Sequence, residues 1–340
     1  MQKTTRIALA AMALLGSGAV MAQSSVTLYG RVNTSVENQK VTGASSVNVL
    51  QNNSSRFGLL GSEDLGGGLK AGFQLESGFN SDDGSGSAWT HGPANGSLTF
   101  ARQSEVNLSG GFGMVRLGNF TPESYYATAD YVSMHNHDTG TSADALYYDP
   151  VWFGGLSTKN KIGYRTPNFG GFVVDAAMNL HEREAGTNNK NGYDLAANYN
   201  NGPLHLGAGY SYVDSNYQVG LRGLYTFGQF TVGAYYQRNK DDNKLVPVTG
   251  AGTRNNYRLS GMYVLNASEF HVNVGRAGSW SKISDSAATQ WTLGYNYNLS
   301  KRTKVYAFYT KVNNKANADY LTGSAGDDFR SVAMGIRHNF

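Results

Sequence analysis

Val332-Ala333-Met334-Gly335-Ile336-Arg337-His338-Asn339-Phe340 alternates strictly between two faces and stops on an aromatic. In an extended chain Val332, Met334, Ile336, His338 and Phe340 share one face, and Ala333, Gly335, Arg337 and Asn339 the other. A soluble domain rarely spends such residues on a strand ending, uncapped, on a large apolar side chain. A transmembrane β-barrel has a use for one. Its last strand closes the sheet against the first, its outward face meets lipid, and an aromatic suits the interface.

Composition agrees with that reading. The chain holds 43 glycines, 22 tyrosines and 15 phenylalanines but only 6 prolines, the mixture expected of half-apolar strands, aromatic girdles and glycine-rich turns. No segment after the N-terminus approaches 18 apolar residues, so transmembrane helices are excluded. The low mean hydropathy of −0.40 is no objection, because only alternate residues of a barrel strand meet lipid.

At the other end, Lys3 and Arg6 precede an apolar run from Ile7 to Met21, and Val20-Met21-Ala22 offers small residues for cleavage. Residues 1–22 read as a secretory signal peptide, leaving 23–340 as a single domain. Removing Lys3 and Arg6 from the 28 basic residues leaves 26 against 24 acidic, a near-neutral chain that argues for no nucleic-acid partner. The absence of cysteine rules out a disulfide framework.

Strand-like alternation recurs in pairs. The expected strands lie near 26–32, 56–59, 69–75, 98–108, 113–119, 159–166, 171–180, 192–199, 204–213, 217–227, 230–238, 257–264, 269–275, 289–297, 303–312 and 329–340, sixteen in all. An even count suits a bacterial barrel, and roughly 10 residues cross the apolar band at the usual tilt. Short turns such as Gly66-Gly67-Gly68 alternate with long polar connections near 38–53, 80–96, 121–157, 181–192, 239–255, 277–288 and 313–327. Phe112, Phe169, Phe172, Tyr199, Phe227, Phe230 and Tyr297 gather beside the short turns, as an interfacial belt on the periplasmic side.

Several blocks together resemble the trimeric general porins of β-proteobacterial outer membranes. They are Ser24-Ser25-Val26-Thr27-Leu28-Tyr29-Gly30, Ser55-Arg56-Phe57-Gly58-Leu59, the run from Gly61 to Ala71, Thr166-Pro167-Asn168-Phe169-Gly170-Gly171-Phe172, Asn298-Leu299-Ser300-Lys301-Arg302-Thr303 and Gly335 to Phe340. They fall in collinear order over the whole mature chain. The resemblance implies an all-β, 16-stranded antiparallel transmembrane barrel, a homotrimer, whose long third loop folds inward and narrows the lumen. It also implies contact with outer-membrane lipid and lipopolysaccharide, and use of the barrel-assembly machinery.

The residues point the same way. The connection 121–157 is the longest at 37 residues, too long for an idle hairpin loop. It carries Glu123, Asp130, Asp138, Asp144 and Asp149 and no lysine or arginine. Alternation turns Arg31, Arg56, Lys70 and Arg116 toward the lumen, with Lys159 and Lys161 close by on the sixth strand. Arg102 joins this basic wall by resemblance. An acidic loop facing a basic wall would set a transverse field across a water-filled eyelet. Two positions depart from the family pattern. Leu60 stands where a basic residue is common, and Ser157 where a third basic residue of strand six can occur.

The expected function is passive diffusion of small hydrophilic solutes and ions through an outer-membrane channel with weak anion preference. A channel specific for an organic anion or sugar is the alternative, kept open by Tyr125, Tyr126, Tyr131, Tyr147, Tyr148 and Trp152. A hydrolase would need a serine–histidine pair on the outer wall, and His205 and His271 both fall on the lumen face. No cofactor is expected. His135-Asn136-His137-Asp138 resembles a metal pair but lacks a further ligand cluster, and no phosphate-binding or nucleophile-elbow motif occurs.

Overall fold

In the computed structural model the described residues are 24–86, 99–129, 132, 139–153, 159–182, 184, 190–242 and 251–340. Their strands form one closed antiparallel sheet. The staves are β1 (Ser25–Val41), β2 in two pieces (Val47–Asn52 and Arg56–Gly66), β3 (Leu69–Gly78), β4 (Gln103–Gly110), β5 (Gly113–Asn119), β6 (Lys161–Arg165), β7 (Phe172–Asn179) and β8 (Gly192–Asn201). The second half adds β9 (Leu204–Val213), β10 (Asn216–Phe227), β11 (Phe230–Asp241), β12 (Gly252–Leu265), β13 (Ser268–Ala277), β14 (Ala288–Asn298), β15 (Thr303–Asn314) and β16 (Phe329–Asn339). Each stave pairs with its sequence neighbours, and β16 returns to β1 from Arg31↔Asn339 to Val41↔Phe329. No described helix is long and apolar enough to cross a membrane.

Closure is built into the last residue. The amide of Phe340 donates to the Gly30 carbonyl at 3.0 Å, and the Gly30 amide donates back to Phe340 at 3.0 Å. A side chain on Gly30 would run into the Phe340 ring, so the glycine makes room for the terminal aromatic.

Burial is inverted relative to a soluble protein. On β16 the outward Val332, Met334 and Ile336 are 54%, 71% and 51% exposed, a surface that only lipid satisfies over many strands. The inward face is polar and buried, with Asn33, Ser35, Gln218, Gln237, Asn256, Gln290 and Thr310 packed against one another or against the connections. At the short-turn end Tyr225, Phe227, Phe230, Tyr263, Phe270 and Tyr295 form a continuous ladder, with neighbouring centroids 4.7 to 6.3 Å apart. A second aromatic group, Tyr193, Tyr210, Tyr212 and Tyr217, stacks at the opposite end.

The connection expected at 38–53 is mostly strand. Residues 34–39 of β1 pair with 47–52, leaving only a short turn between them. Leu50 stands opposite the outward Val36, both more than half exposed, so the segment continues the two-residue alternation of β1. β2 breaks where Ser54 takes φ 55°. The break turns Asn53 inward, where it donates to Ser35 Oγ and to the Tyr306 hydroxyl at 2.9 Å each.

Candidate pore constriction

The connection between β5 and β6 carries helix α1 (Glu123–Thr128), a 3-10 turn (Gly140–Ser142) and helix α2 (Pro150–Phe153). α1 packs on β8, β9 and β10. Its floor is Gly207, Gly209 and Gly220, where a β-carbon would overlap the backbone of Ala127, the backbone of Ser124 and the Thr128 side chain. Both helix ends are capped from the wall. Asp194 accepts the amides of Glu123 and Ser124 at 2.9 and 3.2 Å, and also the Ser124 hydroxyl. Arg222 Nη1 donates to the Tyr126 carbonyl at 3.1 Å. A carboxylate at the start and a guanidinium at the end match the polarity of the backbone groups left unpaired there.

The rest of the connection is fastened to other inward residues. Asn33 Nδ2 donates to Thr139 Oγ1 at 3.3 Å, and Thr141 donates to Glu37 Oε2 at 2.7 Å. Asp144 accepts from Arg258 Nη2 at 2.5 Å and from the Tyr235 hydroxyl. The Leu146 carbonyl accepts from Arg254 and Asn256 at 2.8 and 3.1 Å. Asp149 caps α2 through the amides of Val151 and Trp152 at 2.9 and 3.2 Å and accepts from Ser211 at 3.0 Å. Burial raises the affinity of Asp144 for a proton, but the Arg258 charge and its hydrogen bonds outweigh this and hold it below the usual carboxylate value. Asp149 lacks such a cation, and burial pushes it up to about 6 despite its hydrogen bonds.

Two arginine groups stand out. Arg116 binds Glu105 Oε2 at 2.6 Å and Glu123 Oε1 at 2.5 Å, and Arg165 binds Glu123 Oε2 at 2.9 Å and Asp175 Oδ1 at 2.6 Å. Phe120 lies under both Arg116 and Lys161, 4.1 and 4.3 Å from its ring centroid. In the other group, Arg31 and Arg56 are register partners on β1 and β2. Glu76 accepts from Arg102 Nε at 2.6 Å and from the Tyr29 hydroxyl at 3.0 Å, with Arg56 Nε 3.8 Å away.

A family model described as Gram-negative porin matches residues 8–317. The chain belongs to that family. Its whole-length relatives include outer membrane porin protein 32 of Delftia acidovorans, 34% identical over 99% of this chain and 100% of the relative. An outer membrane porin protein of Bordetella pertussis is 30% identical over 98% of this chain and 99% of its own. Among solved structures, an anion-selective porin from Comamonas acidovorans superposes with a TM-score of 0.75 at 31% identity, covering 94% of this chain and 100% of that one. This protein is a porin of the outer membrane.

The porin brings Arg31, Arg56 and Arg102 together and sets Arg116, Lys161 and Glu123 in a separate, buried group. Lys161 donates to the Phe120 carbonyl at 3.2 Å and is 2% exposed, so it lies behind the connection instead of lining water. Lys159 precedes β6, which begins at Lys161, so the expected strand start at 159 moves inward by two residues. Lys70 keeps the lumen register, opposite Asp64 and Ser109, but sits beside the glycine turn. Six residues separate it from Glu76, roughly 20 Å at about 3.3 Å per residue. Lys70 therefore belongs to the mouth and not to the constriction.

Glu123 and Asp144 do not face the basic wall across water; they bind guanidinium groups directly. The reason is desolvation, since a carboxylate pressed into the wall needs an adjacent cation. Asp130, Asp138, the His135–His137 pair, Tyr131 and Ser157 lie outside the described residues. Leu60 holds the lumen register opposite Gln74 and is 47% exposed.

Arg165, Arg222, Arg254 and Arg258 were not among the expected site residues. The signal for Arg258 was present, since it alternates with Tyr257 and Leu259, which are 52% and 61% exposed on the outer face. Nothing in the sequence paired it with Asp144, 114 positions away.

Proposed function

We propose that this porin is a passive diffusion channel for small hydrophilic solutes and ions with a preference for anions, narrowed by the connection 121–157 folded into its lumen. The carrying observation is the distribution of charge. The described loop carboxylates Glu123, Asp144 and Asp149 are committed to Arg116, Arg258 and Ser211 on the wall. Arg31, Arg56 and Arg102 gather beside one described carboxylate, Glu76. Guanidinium groups lining a narrow point draw anions toward it. The anion selectivity named for the Comamonas acidovorans structure supports the same sign.

The deciding measurement is the reversal potential across a salt gradient, for wild type and Arg102→Ala. Wild type should read anion-selective and the variant should shift toward cations. A cation-selective wild type would overturn the reading. We take the working assembly to be a homotrimer, exported by a cleaved signal peptide, set among lipopolysaccharide and folded by the barrel-assembly machinery. Conductance steps in threes and cross-linking to a trimer test the assembly.

The substrate-specific alternative loses support from the aromatic residues. Tyr125, Tyr126, Tyr147 and Trp152 pack on one another with centroids 4.6 to 6.3 Å apart, as a plug under the loop and not as an extended track. A catalytic role finds no support in His271, which faces the lumen between Glu269 and Asn296.

A further inference from the structure

The turn Leu299–Arg302 joins β14 to β15 at the short-turn end and closes one side of a cavity of about 480 Å³. Lys301, Arg302, Lys304 and Arg337 line it with a single carboxylate, Glu269. That carboxylate is already engaged, accepting from Asn296 and Asn298 at 2.7 Å each and lying 3.5 Å from Lys304 Nζ. Glu269, Lys304 and Arg337 alternate with the outward Phe270, Val305 and Ile336, so the cavity opens to the lumen mouth and not to lipid.

The turn is also fixed. Ser300 Oγ accepts the amides of Arg302 and Thr303 at 3.1 and 3.0 Å, and the Arg302 carbonyl accepts from Asn339 at 2.8 Å. Four cations held in one cavity repel one another, and the balance improves when a multiply charged anion enters. The size matches a small organic molecule and far exceeds a single chloride. Two guanidinium forks favour phosphate oxygens. Ser300, Thr303 and Asn339 add neutral hydrogen-bonding groups to the lining.

We propose that this cavity is a binding site for a small phosphorylated organic molecule at the periplasmic mouth, separate from the constriction. Arg302 and Arg337 grip the phosphate, Lys301 and Lys304 supply point charge, and the neutral groups meet hydroxyls.

The test is calorimetry on the folded porin in detergent with glucose 6-phosphate, and with glucose as the uncharged control. Saturable binding of the phosphate ester, absent for glucose, is expected. The double variant Lys301→Ala/Arg302→Ala should bind at least tenfold more weakly, while Arg56→Ala at the constriction should bind as wild type does. Both altered turn residues are exposed, and an unchanged heat-dependent gel shift checks that the barrel is intact. No saturable binding, equal binding of glucose, or loss of binding in Arg56→Ala with none in the double variant would each overturn the site. Calorimetry reads binding without current, so the outcome is independent of the ion preference proposed above.

Discussion

Around Arg116, three cations (Arg116, Lys161 and Arg165) meet four carboxylates (Glu105, Glu123, Asp175 and Asp194), and all but Arg165 are buried. Around Arg56, three guanidinium groups gather beside Glu76. Both clusters sit on inward positions of neighbouring staves, so strand alternation cannot tell them apart. What separates them is the connection above. α1 lies on the first cluster and excludes water, so its carboxylates are met by guanidinium groups or, for Asp194, by the amides of α1. In the second group Arg31 and Glu76 are buried as well, but Arg56 keeps 22% of its side chain exposed. On the proposed function, the first cluster carries structure and the second, through Arg56 and Arg102, selectivity.

Breaking the buried cluster should give the largest effect. Arg116→Ala leaves Glu105 and Glu123 facing each other without their shared cation. Removing one partner of a buried pair costs about 3–5 kcal/mol. The thermal unfolding midpoint of the detergent-folded porin should fall steeply. A wild-type midpoint would mean that the cluster is hydrated and the contrast drawn above is false.

Gly207→Val attacks the same cluster from the other side, by lifting α1 from its glycine floor. Overpacking of this kind costs about 1–3 kcal/mol. Gly207 lies on β9, whose backbone pairing to both neighbours a valine can keep, so the variant should still fold. Single-channel recordings should show larger or heterogeneous conductance levels as the loop leaves the wall. Unchanged conductance would show that the loop does not set the bore.

How far the sequence could be read follows from this division of labour. The barrel was legible because lipid imposes a period-two pattern on every stave, and Val332, Met334 and Ile336 display it without help from distant residues. Lumen register was legible for the same reason, which is why Arg31, Arg56 and Arg116 fall where alternation puts them. The partners were not. Asp144 and Arg258 are joined by the path of a loop with no periodicity, and the glycines that receive α1 look in sequence like ordinary barrel glycines. Lys70 shows the remaining gap: alternation gives the face of a residue and says little about its height in the pore.

Arg56, in the second cluster, should respond in the opposite manner. Arg56 keeps 22% of its side chain exposed and stands 3.8 Å from Glu76, a long and partly hydrated pair. Arg56→Ala should cost less stability than Arg116→Ala, yet shift the reversal potential toward cations. The two readouts together sharpen the comparison, because Arg116→Ala should lose stability first. A stability loss at Arg56 as large as at Arg116 would merge the clusters into one network.

The smallest expected effect is a pH dependence that separates two loop carboxylates. Asp149 has its folded value raised to about 6 by burial, with the nearby Asp194 charge adding to it. A group raised on folding contributes stability that is full below its unfolded value, roughly 4, and is lost as pH rises through about 6. Asp144 is lowered on folding, so its contribution is intact above its unfolded value and fades only in stronger acid. Between pH 4 and 6, then, Asp149 changes and Asp144 does not. Hydrogen exchange at the amides of Val151 and Trp152 should be slower, after correction for intrinsic rates, at pH 4.5 than at pH 7. Asp149→Asn, which fixes a neutral acceptor at the cap, should flatten that difference, while Asp144→Asn should leave it in place. A pH difference that survives Asp149→Asn would assign the titration to another group under the loop, and the buried cluster around Asp194 would be the place to look.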